Sequence, residues 1–358
     1  MQPFTTIRQL QLEVRAHPDL AETVLRRARS LVEAWEPWIR AFVYLDWTLA
    51  EQNLKEASPL GWLWPAPIGI KDLADVRDMP TTGSSRAYHW VAEADAPAVA
   101  RLREAGAVIL GKTNTQELAY GVITPPTRNP WNLEHIPGGS SGGTAAAVAA
   151  GVIPAGLGTD TGGSIRIPAS CCGVVGFKPG YGRIPLDGIM PLAPTLDHVG
   201  PITRTVEEAA WCYRIMAGEP DPLRPLKGAL GWQRLGVPWE YIEQAMAPPV
   251  ASNFRDCLHL LKELGFALEP FALDPWPNWM AVQMAIRGPE SYRVHREVLT
   301  GPRRGLLSAD LVARLEQGQH VAGADYLEGL ATRQAWIRRY REQFARLRLD
   351  AVVMPTLP

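Results

Sequence analysis

The sequence predicts an α/β fold, a sheet whose strands are joined by crossover helices. Apolar strand-like runs alternate with helical spacing, most plainly where Asp95 and Pro97 open a helix to Gly106 and Ala107–Gly111 follows as a strand. One stretch, Gly138–Pro168, sets two Gly-Gly-Ser turns around a segment rich in Ala, Val and Gly. Within it Thr144–Ala150 reads as a buried helix with Gly151 as its stop, short-chained because its neighbours pack tightly. The chain's 358 residues, 46% hydrophobic and 20% charged, are ample for a sizeable core, in two domains or one large one.

Taken in order, Asp19–Trp35 has helical spacing, with Asp19 and Glu22 placed as a capping box. Ala41–Leu45 is a short apolar strand and Trp47–Ala57 another helix. Pro65–Ile70 is apolar and runs into Lys71-Asp72, an unusual ending because lysine is rarely buried. Thr124–Pro137 is a proline-rich loop, Val174–Phe177 a strand, and Gly180–Pro201, full of Gly and Pro, an irregular region over a site. Thr205 and Glu208 cap a helix to Gly218. Residues 220–225 read as a linker. Beyond them come a strand near Leu235–Val237, a helix over Val250–Leu264 and a strand near Phe266. Helices then dominate to Arg348, and Asp350–Met354 is a last strand.

Charge and composition exclude several classes. A net charge of −1 gives no electrostatic case for nucleic acid or an anionic membrane. The four cysteines, 171, 172, 212 and 257, form no zinc spacing, and a reduced, cytoplasmic setting follows. No signal peptide is visible, and no apolar run approaches the ~20 residues of a membrane span. The histidines are scattered without a ligand pair, so no metal is expected. Lysine is scarce, six residues in all, so Lys71 at the end of its apolar strand stands out with the serines of the two glycine turns, Ser140 and Ser164.

With these three the sequence resembles the amidase signature family. The family's marks are a strand-end Lys-Asp, a Gly-Gly-Ser-Ser-Gly-Gly turn, and a Gly-x-Asp-x-Gly-Gly-Ser-Ile/Val-Arg-x-Pro-Ala segment. Here they stand as Ile70–Asp72, Gly138–Gly143 and Gly158–Ala169, in order and without a mismatch. Similarity continues through Gly111–Asn114, Gly173–Pro179 and Leu196–Pro201 to Met354–Pro358, and so covers the chain from about residue 60. The resemblance implies an α/β/α sandwich with a mixed central sheet flanked by helices, in a single domain over 1–358. Its parts would be an N-terminal segment to about 60, a signature core over 61–217 and a helix-rich periphery over 218–348. Family members continue past the closing signature, so the resemblance also implies a fold lacking its C-terminal part.

The implied activity is hydrolysis of a linear carboxylic amide, a small-molecule substrate, with no cofactor. A homodimer is allowed. An amide is a poor electrophile, so the reaction needs a strong nucleophile, an oxyanion site and a proton for the departing amine. Ser164 would be the nucleophile, forming an acyl-enzyme. Ser140 would relay protons to Lys71, which acts as base only if burial lowers its pKa. The N–H groups of Thr161, Gly162, Gly163 and Ser164 would surround the oxyanion. A cis peptide is implied at Gly139–Ser140. Asp160 and Arg166 would hold the nucleophile loop, or form a buried ion pair without a catalytic role, and Ser141 would hydrogen-bond within its loop. Lys112 and Lys178 are expected to serve structure, neither following an apolar strand with comparable burial. Trp62, Trp64 and Trp131 hint at an apolar pocket.

Three competing readings remain. Gly139-x-Ser141-x-Gly143 satisfies the nucleophile elbow of a Ser-His-Asp α/β-hydrolase, but no apolar strand precedes it. Phosphate binding by the glycine turns has no Walker or Rossmann pattern behind it. Within the family, the A subunit of a glutamine-dependent tRNA amidotransferase is the alternative. Thr115–Gly121 and Pro185–Leu192 look more like stand-alone amidases.

Overall fold

The computed structural model describes residues 6–224, 231 and 233–358. These divide into two compact units, one of Met1–Pro225 with Arg293–Leu315, the other of Leu226–Tyr292 with Glu316–Pro358.

The first unit opens with helices α1 (Ile7–Ala16) and α2 (Ala21–Ile39), strand β1 (Phe42–Leu45) and helix α3 (Trp47–Glu56). Helix α1 was not anticipated. Its start is a capping box in which Thr6 receives the N–H of Gln9 and the Gln9 side chain receives that of Thr6. The box expected at Asp19 and Glu22 is absent, because Pro18 opens a 3-10 turn (Pro18–Leu20) that runs straight into α2. Next come β2 (Pro67–Lys71), the small ribbon β3 (Pro80–Thr81) and β4 (Trp90–Val91), α4 (Pro97–Glu104) and β5 (Val108–Thr113). Helix α5 (Gly142–Ala149), β6 (Ala155–Thr159), α6 (Arg166–Cys172), β7 (Val175–Gly176), β8 (Val199–Thr203) and α7 (Val206–Ala217) follow. The capping box predicted for α7 is formed on both sides, and Gly218 closes it at φ 74°.

Six strands make one sheet in the order β1-β5-β2-β6-β8-β7. The β5–β2 and β2–β6 pairs are parallel, and β1–β5, β6–β8 and β8–β7 antiparallel. The sheet is therefore mixed and flanked by helices. Val108 and Leu110 join α1, α2, α3 and α5 in one core, whereas Ile109, Ile68 and Ile70 join α4 and α7 in the other. Strands β6 and β8 were not legible as strands. In β6 a Cβ at Gly156 would lie 2.5 Å from Thr144 Cγ2 and 2.8 Å from Gly69 O, so glycine is required where α5 presses onto the sheet centre. In β8 Gly200 and Pro201 mask a strand that pairs on both edges.

In the second unit, β9 (Arg234–Val237), helix α8 (Trp239–Ala245), helix α9 (Pro248–Glu263) and β10 (Ala267–Pro270) precede α10 (Trp276–Thr300). Helices α11 (Ala309–Gln319) and α12 (Gly323–Leu347) and strand β11 (Ala351–Val352) end the chain, and α10 and α11 each contribute residues to both units. Strands β10-β9-β11 form a parallel three-stranded sheet. Val237, Ile242 and Leu258 pack together beneath it. Among the described residues no helix is long and apolar enough to cross a membrane.

Candidate active site

Strand β2 is buried at every residue and ends on Lys71, whose side chain is fully enclosed. Its Nζ donates to Ser140 Oγ and Thr159 Oγ1, each at 2.8 Å. Burial brings its pKa from 10.5 down to about 7, against the opposing pull of Asp160 and Asp197. Among the described residues no carboxylate reaches ion-pair distance of it.

Ser140 and Ser141 stand at the entry to α5, where the Gly139–Ser140 peptide is cis. Two residues outside the signature segments hold this turn. Thr124 Oγ1 lies 2.9 Å from Gly138 O and 3.2 Å from Ser140 O, and the Gln116 N–H donates to Ser140 O at 3.0 Å. Gln116 Oε1 in turn receives the N–H of Thr124 at 2.8 Å. Glycine is obligatory at 139 and 142, since a Cβ at either would fall 2.6 Å from Thr124 Oγ1. Ser141 hydrogen-bonds within the loops, its Oγ bridging Thr159 O at 3.2 Å and Thr159 N at 3.3 Å.

Ser164 is brought to this turn by backbone, the Ser141 N–H donating to Ser164 O at 3.1 Å. Its hydroxyl makes no hydrogen bond among the described residues, so Ser140 and Ser164 are neighbours through main chain and not through their Oγ atoms. The loop carrying Ser164 is folded around Asp160. That buried carboxylate receives Gly163 N–H at 2.8 Å, Ile165 N–H at 3.1 Å, and Arg166 through Nε at 3.0 Å and its terminal nitrogen at 2.8 Å. Burial pushes Asp160 up, but Arg166 and the two N–H groups more than offset it, holding the carboxyl below its ordinary range.

Three expectations need correction. The Gly163 N–H is committed to Asp160, which leaves the N–H groups of Thr161, Gly162 and Ser164 without a partner among the described residues. Lys112, expected to be less buried than Lys71, is equally enclosed, because β5 continues past Gly111 to Thr113. It pairs with Asp72 at 3.1 Å and donates to Pro80 O at 2.9 Å and Thr81 Oγ1 at 2.8 Å. The three tryptophans do not gather: Trp62 and Trp64 pack in different cores, and Trp131 is exposed with its indole N–H on Cys172 O. Two open clefts of about 500 and 320 Å³ share Asp75, Trp90 and Gly188, and neither is lined by the serines.

Sequence reasoning missed Thr159, the second acceptor for Lys71, and Asp197, which receives the Thr161 hydroxyl at 2.6 Å. Both lie inside segments quoted for the resemblance, and only their long-range contacts distinguish them.

The Amidase family model matches residues 19–358. An amidase of Pseudomonas putida is 39% identical over 372 residues, covering 99% of this chain and 79% of that protein. The glutamyl-tRNA(Gln) amidotransferase A subunit of Roseiflexus castenholzii (strain DSM 13941 / HLO8) is 36% identical over 390 residues, covering 95% and 78%. A crystal structure of an amidase matches with a TM-score of 0.87 and 33% identity over 98% of this chain and 82% of its own.

Proposed function

This chain belongs to the amidase signature family, and from that premise we propose that it is a stand-alone amidase cleaving a linear carboxylic amide to carboxylate and ammonia or amine. The observation that carries the reading is the fully buried Lys71, poised near neutrality and hydrogen-bonded at 2.8 Å to the serine whose neighbour holds Ser164.

On this reading neutral Lys71 draws a proton through Ser140 as Ser164 Oγ attacks the amide carbon. The tetrahedral oxygen is received by the free N–H groups of Thr161, Gly162 and Ser164. Collapse breaks the C–N bond, the relayed proton leaves with the amine, and the acyl group stays on Ser164. Water then attacks by the same relay and releases the carboxylate. Because the lysine must be neutral, activity rises with pH through a limb near its pKa of about 7.

The second reading, an amidotransferase A subunit that frees ammonia from glutamine for a partner, is favoured by relatives of that name. The composition of Thr115–Gly121 and Pro185–Leu192 supports the stand-alone enzyme instead. The test is labelling with a fluorophosphonate, location of the adduct by peptide mass spectrometry, and a substrate screen of acetamide, benzamide, urea-type amides and glutamine. Labelling at Ser164 that Ser164→Ala abolishes, with turnover of a simple amide by the chain alone, is expected. Full labelling of Ser164→Ala removes the assignment, and turnover of glutamine alone favours the second reading.

A further inference from the structure

We infer that Asp197 is a positioning residue of the serine site, holding Thr161 and the Leu192–Ala193 turn onto the nucleophile loop and setting its negative charge against Lys71. The inference rests on the amidase reading and adds a residue to it.

Asp197 is 7% exposed. Its Oδ1 receives the Thr161 hydroxyl at 2.6 Å, and its Oδ2 receives the N–H groups of Leu192 at 2.9 Å and Ala193 at 3.0 Å. The next residue is zipped to the loop by main chain: His198 N donates to Asp160 O at 3.0 Å, and Asp160 N to His198 O at 2.9 Å. The glycine turn is therefore gripped at its start through Thr161 and at its end through Gly163 and Ile165, which Asp160 holds. A turn fixed at both ends presents its free N–H groups in one geometry, which an oxyanion site requires.

The charge matters as well as the hydrogen bonds. Burial lowers the Lys71 pKa, and the carboxylates that oppose burial are Asp160 and Asp197. Asp160 is neutralised at contact by Arg166, with Lys178 and His198 also in its field. Asp72, next to Lys71 in sequence, is bound to Lys112. A base works best when its pKa lies near the working pH, and Asp197 helps to keep it there.

The test follows the rate of fluorophosphonate labelling at Ser164 from pH 5 to 10, which needs no knowledge of the substrate. Asp197→Asn should lower the plateau rate and move the acid limb down by about half a unit. One unit below the wild-type limb, the variant's rate relative to its own plateau should then rise about two- to threefold. Thr161→Val, which keeps the charge, should lower the plateau and leave the limb in place, and Asp197→Glu should restore the limb. A limb in Asp197→Asn that coincides with wild type overturns the inference while leaving the amidase reading intact. If Asp197→Asn does not fold, Thr161→Val decides: a plateau equal to wild type overturns the positioning role. No labelling of the wild-type protein at any pH sinks the amidase reading, and this inference with it.

Discussion

Replacing Lys71 by methionine should change stability in a pH-dependent way that the geometry fixes in sign. The lysine is enclosed, its ammonium hydrogen-bonds, among the described residues, to the Ser140 and Thr159 hydroxyls, and its pKa falls from 10.5 to about 7. Between those pH values the unfolded chain binds a proton that the folded chain does not. Stability therefore rises with pH across that window, by about 1.4 kcal/mol per unit. Below the folded value both states carry the proton and the full penalty persists; above the unfolded value it has gone. Methionine fills similar space without the charge, so its advantage over wild type should shrink by about 3 kcal/mol from pH 6 to pH 9. The two lost hydrogen bonds subtract about 1 kcal/mol each at every pH and leave that change intact. Urea unfolding of both proteins, followed by tryptophan fluorescence at pH 6, 7.5 and 9, measures it. A difference constant to within about 0.5 kcal/mol would refute the claim that the folded protein holds this lysine neutral near pH 9.

The other buried lysine should behave in the opposite way. Lys112→Met strands the Asp72 carboxylate, itself 1% exposed, and should destabilise by about 3–5 kcal/mol at neutral pH, read as a lowered Tm. A melting curve like that of wild type would mean that the pair contributes nothing. Gly111→Ala would set a Cβ 2.1 Å from Tyr44 O and 3.0 Å from Tyr44 C, backbone atoms of the paired strand β1. It should cost about 1–3 kcal/mol, and an unchanged denaturation midpoint would show that β1 shifts freely.

What the sequence revealed was local chemistry. The box at Thr205 and Glu208 was readable because both halves lie within one turn and nothing upstream competes. The same pattern at Asp19 and Glu22 misled because Pro18 had already begun the helical turn. Strand β6, Ala-Gly-Leu-Gly-Thr, carries little of the usual strand signal, since Gly156 answers to the approach of Thr144 and Gly158 to that of Ser141, Ile165 and Ile202, and neither to strand propensity. Ser140, Ser164, Asp160 and Arg166 stand out in the sequence because each sits in a dense short motif. Thr159 and Asp197 act through contacts 88 and 36 residues away along the chain, and no periodicity records those. Gly163 was assigned by analogy with its neighbours, and only its bond to Asp160 separates it from them.

The two buried lysines show why the Lys71-Asp72 pair takes the form it does. Strands β2 and β5 are parallel neighbours in which Ile70 is level with Lys112 and Lys71 with Thr113. Residues level across a sheet share a face, and successive residues alternate, so Lys71 and Lys112 point to opposite faces. Lys71 therefore lies on the side of Thr113, whose hydroxyl meets Thr144 of α5 at 2.7 Å, and it reaches Ser140 at the head of that helix. Asp72 extends the alternation onto the face of Lys112, where Thr82 and Ser84 also bind its carboxylate. An aspartate adjacent in sequence is thereby kept from neutralising the lysine beside it. Were Asp72 on the other face, a contact ion pair would hold Lys71 protonated at neutral pH and end its use as a base. The sheet's alternation leaves Lys71 to the weaker, non-contact fields of Asp160 and Asp197, and that separation is what allows a buried lysine to titrate near pH 7.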